Sequence, residues 1–394
     1  MPTPEEHALL SASSSERWLH CTRSPRLEEQ FPETTSEYAE AGRVAHAIAE
    51  LKARKYFLEP MGPRTYNSRL KKLKEDPHYS KEMDAATDEY LEYLKGLAMA
   101  FGDVPPFVAL ETRVDFSEYA PKGFGTADCI MIGAGRICVN DYKNGSGVPV
   151  EAEHNSQMML YALGALKVYA PIYGATIQDI HLAIIQPHAG GVKEWSLTRT
   201  ELETWGQDYV KPRADKAFAG QGEFVPDEDP NGYCKFCRAF PACRARADQA
   251  ARLAFQPQTP PDLLTDAEVG DRLTLCKQVV AYAKALEDYA LTAALAGRTI
   301  PGWKVVEGRG SRDWTDLDAA FKALQERGVA EAMLWERKPV TPPGLEKALG
   351  GKTFEDAAKD LVKRVPGKPA LAKESDKRPP YNAAQIAFGG AADG

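Results

Sequence analysis

No apolar run in the 394-residue sequence approaches the roughly 20 residues needed to cross a bilayer. The first residues, Met1-Pro-Thr-Pro-Glu-Glu6, also lack the basic start and apolar stretch of a secretory leader. Both absences lead us to expect a cytoplasmic chain with no membrane partner. An excess of positive charge is missing too, since 49 Lys and Arg stand against 56 Asp and Glu, a net of −7. That balance excludes a uniformly cationic nucleic-acid coat, but it allows a local basic groove in which bound cations supply part of the positive field. What is present, 43% hydrophobic and 27% charged residues, describes a globular chain long enough for two or more domains.

Apolar spacing predicts an α/β core. A helix over about 37–57 and another over about 80–101 flank a loop rich in Pro, Gly and Lys at 60–79. Phe107 to Phe116 then reads as a first strand, Phe124 to Ile132 as a second, and Ile137 to Lys143 as a third, the last two joined by a Gly-Ala-Gly turn. A helix from about Asn155 to Tyr169, an interior strand from Ile177 to Gln186 and a helix from about Thr200 to Phe218 complete the core. Gln256-Pro-Gln-Thr-Pro-Pro261 reads as a linker. The capping box Thr265-Asp-Ala-Glu268 opens a long helix to about Ala296, whose apolar stripe (Val269, Leu273, Cys276, Val280, Ala283, Leu286) should pack on something. Past it come a short strand at 302–308, helices near 315–327, 343–349 and 353–362, and an extended or disordered tail. Arg309, Arg312 and Trp314 read as either core or nucleic-acid contacts. The expected division is 1–255, a mainly helical 262–364 and the tail 365–394.

Chemistry concentrates between Gly125 and Tyr161. In Asp141-Tyr142-Lys143 the period of a strand puts Asp141 and Lys143 on one face, and Asp128 lies on the neighbouring strand of the hairpin. Carboxylates there can hold a divalent cation that polarises a phosphate oxygen, while the ammonium orients water and offsets developing charge. Upstream, His46 in Gly42-Arg-Val-Ala-His46 sits among small residues of a helix. Alone it would be structural; beside two acids it becomes a candidate ligand. Glu111, in the first strand, fits a salt-bridged edge carboxylate better than a ligand.

A second signal is Cys234-Lys-Phe-Cys237, followed by Cys243, directly after a Pro/Asp/Gly-rich loop. In a cytosolic chain this spacing suits a metal or cluster better than disulfides. Cys129, Cys138 and Cys276 lie in apolar surroundings and read as small core residues, which leaves Cys21 as the fourth ligand. Four thiolates fit tetrahedral zinc as well as an iron–sulfur cluster.

Taken in order, these motifs resemble the PD-(D/E)XK nuclease superfamily, in its RecB-like branch that includes CRISPR-adaptation nucleases with an iron–sulfur cluster. The match covers roughly residues 1–250, and the whole chain is similar to a family encoded in phage and prophage replication regions. The resemblance implies a restriction-endonuclease-like core, a central mixed sheet flanked by helices, with a mainly helical C-terminal appendage. It also implies that His46, Asp128, Asp141 and the Tyr142 carbonyl hold Mg2+ or Mn2+, that Lys143 serves the attacking water, and that Gln157 and Tyr161 position DNA or the site. Cys21, Cys234, Cys237 and Cys243 would hold a [4Fe-4S] cluster, with Zn2+ as the alternative. The implied function is a metal-dependent DNA exonuclease acting in phage DNA replication, recombination or end processing, with DNA and phage replication or recombination proteins as partners. The competing expectation is a non-catalytic DNA-end or partner-binding module with a structural four-cysteine site.

Overall fold

Alternating apolar residues in three successive runs build the centre of the molecule. The computed structural model describes residues 8–32, 36–145, 147–174, 176–229, 232–254, 266–305 and 317–326. The three runs form β1 (Phe107–Asp115), β2 (Phe124–Gly133) and β3 (Arg136–Tyr142), paired antiparallel in that order. Ala134 and Gly135, at φ 46° and 74°, make the two-residue turn between β2 and β3, whose handedness matches the twist of a hairpin. The helix after β3 (Ser156–Tyr173) crosses over to β4 (Asp179–Gln186), which runs parallel to β3, and β5 (Gly191–Thr198) returns antiparallel beside β4. The result is a five-stranded mixed sheet in the order β1-β2-β3-β4-β5, flanked by helices. β5 is absent from the sequence expectation because it is an edge strand on which only Trp195 and Leu197 reach the core.

In chain order the helices are α1 (Ser15–His20), α2 (Ser24–Glu28), α3 (Glu37–Phe57), α4 (Pro63–Lys74), α5 (Glu82–Met99), α6 (Ser156–Tyr173), α7 (Arg199–Thr204), α8 (Lys211–Phe218), α9 (Arg244–Ala254), α10 (Asp266–Leu295) and α11 (Leu317–Glu326). A π-helical turn, Trp205–Val210, joins α7 to α8. α4 corrects the loop expected at 60–79: Pro63 opens it at a position where a missing N–H is harmless, and no side chain of it is buried. Its apolar stripe is short, Tyr66, Leu70 and Leu73 among basic and polar residues, and Leu70 and Leu73 pack against the α3–α5 core.

α6 covers one face of the sheet, packing Met158, Leu160, Ala162 and Leu166 against Ile130, Ile137, Val139, Leu182 and Ile184. α3 and α5 cover the other, through Val44, Ile48, Tyr90 and Leu94 against Leu110, Cys129, Met131, Cys138 and Ile185. The N-terminal segment joins the α6 side: Trp18 is 1% exposed, its indole N–H donates to Ser11 O at 2.9 Å, and Ser15 Oγ lies 2.6 Å from Ser156 Oγ.

The faces exchange partway along β1 and β2. Leu110 and Cys129 face α3, whereas Val114 and Ala127, each an even number of residues away on the same strand, face α6. Regular pleating would keep each pair on one face. The inversion falls at Glu111, whose φ is 47°, and at Asp128, the two residues absent from an otherwise continuous β1–β2 register. Both acids are thereby turned toward α3.

Residues Met1–Val306 form one compact unit and Glu307–Gly394 a second, of which α11 is described. The first unit extends beyond the boundary expected near 255–262 because α10 packs beside α9 and the cysteine loop, with Tyr282 edge-on to Phe240 at 6.1 Å. The face it uses carries Leu275, Gln278 and Val279, and the expected stripe instead lies largely outward, Val280 being 68% exposed. Cys276, expected in the core, is exposed on that stripe, while Cys129 and Cys138 are buried as expected. No strand forms at 303–305, and the rest of that expected strand, Arg309, Arg312, Trp314, the helices at 343–349 and 353–362 and the tail 365–394 lie outside the described residues. Among the described residues no helix is long and apolar enough to cross a membrane.

Gly164 tests how closely α6 sits on the sheet. A Cβ there would lie 2.9 Å from Val114 Cβ and 3.2 Å from Asp115 N. Gly→Ala in a helix ordinarily gains about 1 kcal/mol, but overpacking against such rigid neighbours costs about 1–3 kcal/mol. Gly164→Ala should therefore lower the midpoint of a thermal melt; a higher midpoint would show that α6 has room to move.

Candidate functional site

Where β2 and β3 diverge, the chain gathers its candidate chemistry. Backbone pairing of the two strands ends at Cys129 and Asn140, and the N–H of Tyr142 donates instead to Asp128 Oδ2 at 2.7 Å. α3, capped by Ser36, presents His46 to the same oxygen, with Nδ1 at 3.3 Å. On the α6 side Lys143 Nζ lies 3.0 Å from Asp141 Oδ2. Gln157 ties this pair together, accepting from Lys143 Nζ at 3.3 Å and donating to Asp141 Oδ1 at 3.3 Å; its amide also donates to the Tyr161 hydroxyl at 3.2 Å. Gln157 and Tyr161, one helical turn apart, thus share a face of α6. Gly125 is required beside them, since a Cβ would fall 2.6 Å from Tyr161 Cε1. The structure brings together every residue the acid and lysine motifs single out, with Tyr142 contributing its N–H and a buried ring 5.4 Å from that of His46.

Glu111 was undervalued by its sequence. It makes no salt bridge among the described residues; its carboxylate, His46 and Asp128 place three ligand atoms within 4.8 Å of one another. Glu50, one turn beyond His46 on α3, lines the same recess of about 200 Å³ with Tyr90 and Tyr142. Only the positive φ at Glu111, invisible in a run whose even positions are evenly apolar, turns this residue inward. Asp141 stands apart from that trio, facing α6.

Charge couples the two halves. Burial opposes protonation of His46, but Asp128 and Asp141 outweigh it and raise its pKa. Burial raises the Asp141 carboxyl, with the Asp128 charge adding to the effect and Lys143 opposing it. Lys143 is likewise pulled down by burial and held above its ordinary value by Asp141 and Asp128, so it carries its proton. One imidazole nitrogen with several carboxylate oxygens is a donor set suited to Mg2+ or Mn2+, which would displace the proton shared by His46 and Asp128.

The four cysteines singled out by spacing also meet. Cys21, at the end of α1, and Cys234, Cys237 and Cys243 line one pocket of about 380 Å³ with Arg17, Tyr233, Phe240 and Arg246. Glu28 draws the two segments together, accepting from Arg17 Nε at 2.8 Å and from the Arg238 backbone N–H at 2.9 Å. Arg17 belongs to this bridge and donates to Phe236 O as well. Burial raises the thiols of Cys21, Cys234 and Cys237, the last up to about 12, so a thiophilic metal entering the pocket must release protons.

A family model described as a protein of unknown function (DUF2800) matches residues 7–379. Among solved structures, one titled "Crystal structure of SSO0001" is similar at 15% sequence identity and a TM-score of 0.22, over 57% of this chain and 95% of that chain.

The carboxylate cluster makes a pH prediction. Burial, together with Asp128 and Glu50, pushes Glu111 from an ordinary 4.5 up to about 7. The folded protein therefore keeps a proton that the unfolded chain has released, and metal-free stability falls as pH rises through that window. Glu111→Gln should stabilise the metal-free protein by about 1–3 kcal/mol at pH 8 and hardly at all at pH 4, as read from urea melts. Saturating Mn2+ should abolish the advantage. Equal stability of variant and parent at pH 8 without metal would mean that the carboxylates are not crowded.

Proposed function

The chain belongs to the family described as proteins of unknown function (DUF2800), and from its two sites we propose that it is a metal-dependent deoxyribonuclease, an exonuclease of the RecB-like branch of the PD-(D/E)XK superfamily with a restriction-endonuclease-like core. The observation that carries the proposal is the convergence of Asp128, Asp141 and Lys143, held by Gln157, at the end of a strand hairpin and opposite His46. Mg2+ or Mn2+, when bound, supplies Lewis-acid polarisation of a phosphate oxygen. His46, Asp128 and Asp141 would hold it, with Glu111 and the Tyr142 carbonyl as further oxygen donors. Lys143, protonated beside Asp141, offers its N–H groups to the attacking water and to charge building on the phosphate. Gln157 keeps that ammonium and carboxylate in register, and Tyr161 fixes Gln157.

The second site supports a [4Fe-4S] cluster held by Cys21, Cys234, Cys237 and Cys243. Four thiolates would hold zinc or an iron–sulfur cluster, and it is the sequence resemblance that supports the cluster. Phosphodiester hydrolysis moves no electrons, so the task of this site is to fasten the N-terminal segment to the loop before α9. The sequence resemblance places the activity in phage DNA replication, recombination or end processing.

Digestion of end-labelled single- and double-stranded DNA with Mg2+ or Mn2+, beside an EDTA control, tests the activity. Asp141→Ala should abolish cleavage; Lys143→Ala should bind DNA and metal normally yet cleave about 10²–10⁴-fold more slowly. Full activity in both variants would sink the assignment. For the second site, anaerobically purified protein should be brown and contain about four iron and four sulfide per chain. Cys237→Ser should lose the colour and much of its solubility, with activity falling as a consequence. Stoichiometric zinc in a colourless protein would overturn the cluster and spare the nuclease.

A further inference from the structure

Arg246 is a charged side chain buried to 2% exposure on the wall of the cysteine pocket. It lies in the first turn of α9, which starts directly after Cys243; Ala245 of the same turn also lines the pocket. Its Nη1 donates to Asp227 O and to Gln249 Oε1, and its guanidinium carbon sits 5.2 Å over the Phe240 ring. On its far side Leu275, Gln278 and Val279 of α10 close a recess around it, with Gln278 hydrogen-bonded to Glu228 O in the same loop as Asp227. Nη2, by contrast, is buried without a hydrogen-bond partner among the described residues. A guanidinium withdrawn from water with one arm unpaired is strongly disfavoured unless an acceptor completes it. Of the two recesses that Arg246 lines, the one with thiolates to accept is the pocket the four cysteines share, where the Arg246 charge already reaches Cys234 and lowers its thiol against the effect of burial. A group held by four thiolates carries net negative charge, and its sulfurs accept hydrogen bonds.

We propose that Arg246 donates its free Nη2–H to a sulfur of the group held by Cys21, Cys234, Cys237 and Cys243, and offsets that group's negative charge. The proposal rests on the reading of the cysteines given above. It makes Arg246 a positioning residue and gives α10 a task, that of keeping water from the guanidinium.

The test uses the full chain, purified anaerobically, as wild type, Arg246→Gln and Arg246→Lys. Iron and sulfide are measured, then the midpoint of a reductive titration and the rate at which a chelator strips iron. Reduction adds a negative charge, so Arg246→Gln should keep its iron but reduce at a more negative potential and lose iron several-fold faster. Arg246→Lys should recover the wild-type potential while still losing iron faster, because an ammonium cannot bind Asp227 O, Gln249 and a sulfur at once. A wild-type potential in Arg246→Gln would overturn the proposal. Should that variant precipitate, Arg246→Lys decides, and wild-type behaviour in both measurements overturns it. Zinc instead of iron in the wild type overturns the cluster alone; zinc release then decides the Arg246 contact, faster in Arg246→Gln if it exists and unchanged if it does not.

Discussion

The hydrogen bond from the Tyr142 N–H to Asp128 Oδ2, 2.7 Å long, replaces a rung of the ladder. Backbone pairing of β2 and β3 stops one step earlier, at Cys129 and Asn140, while β3 stays paired with β4 as far as Tyr142. β3 is thus held on one side and released on the other. A side chain has taken over a buried backbone donor that must be satisfied somewhere, and the strands diverge around it. That divergence lets Asp128 turn toward α3 while Asp141, on the neighbouring strand, faces α6, so the two carboxylates flank the end of the hairpin from opposite sides.

Two layers then feed the opening. α3 delivers His46 and Glu50 from one side, where the inverted residues Glu111 and Asp128 await them. α6 delivers Gln157 and Tyr161 from the other, against Asp141 and Lys143. Neither layer holds a balanced set. The α3 side gathers acids around a single imidazole and raises Glu111; the α6 side half-buries a lysine whose pKa is pulled down by burial but held above its ordinary value by Asp141 and Asp128. A divalent cation held there as proposed would relieve the first imbalance and leave the second as a poised ammonium.

Local motifs made most of this site legible, because strand period, helix spacing and residue type act over short stretches. Asp141 and Lys143 share a face by strand period, whereas the pairing of Gln157 with Tyr161 and the approach of His46 to Asp128 are expected from the motif resemblance. Glu111 escaped because Val108, Leu110, Val114 and Phe116 fall on even positions and so describe one unbroken face, whereas a single left-handed residue exchanges the faces. α4 escaped because its stripe of Tyr66, Leu70 and Leu73 is short and set among basic and polar residues, and β5 because an edge strand buries few. The stripe on α10 misled in the opposite sense. Its apolar positions lie largely outward, and the helix is held by Gln278 and Tyr282, whose partners at Glu228 and Phe240 lie far back in the chain. Long-range polar contacts of that kind leave no period to read.

The meeting of Cys21 with Cys243 also fixes an order of events during synthesis. Any group that both sulfurs hold can be inserted only after residue 243 has left the ribosome, by which time the whole sheet has been made. The N-terminal segment need not wait unfolded until then. Once α6 and α8 have emerged, Trp18, Leu19 and Ser15 have the surface they are buried against and Arg26 has its partner at Phe218 O, and docking there sets Cys21 in place before its three partners exist. A chain stopped between α8 and Cys234 would therefore display a lone, preset thiol, the form in which an unfinished copy is most open to oxidation or to capture by a metal of the wrong kind.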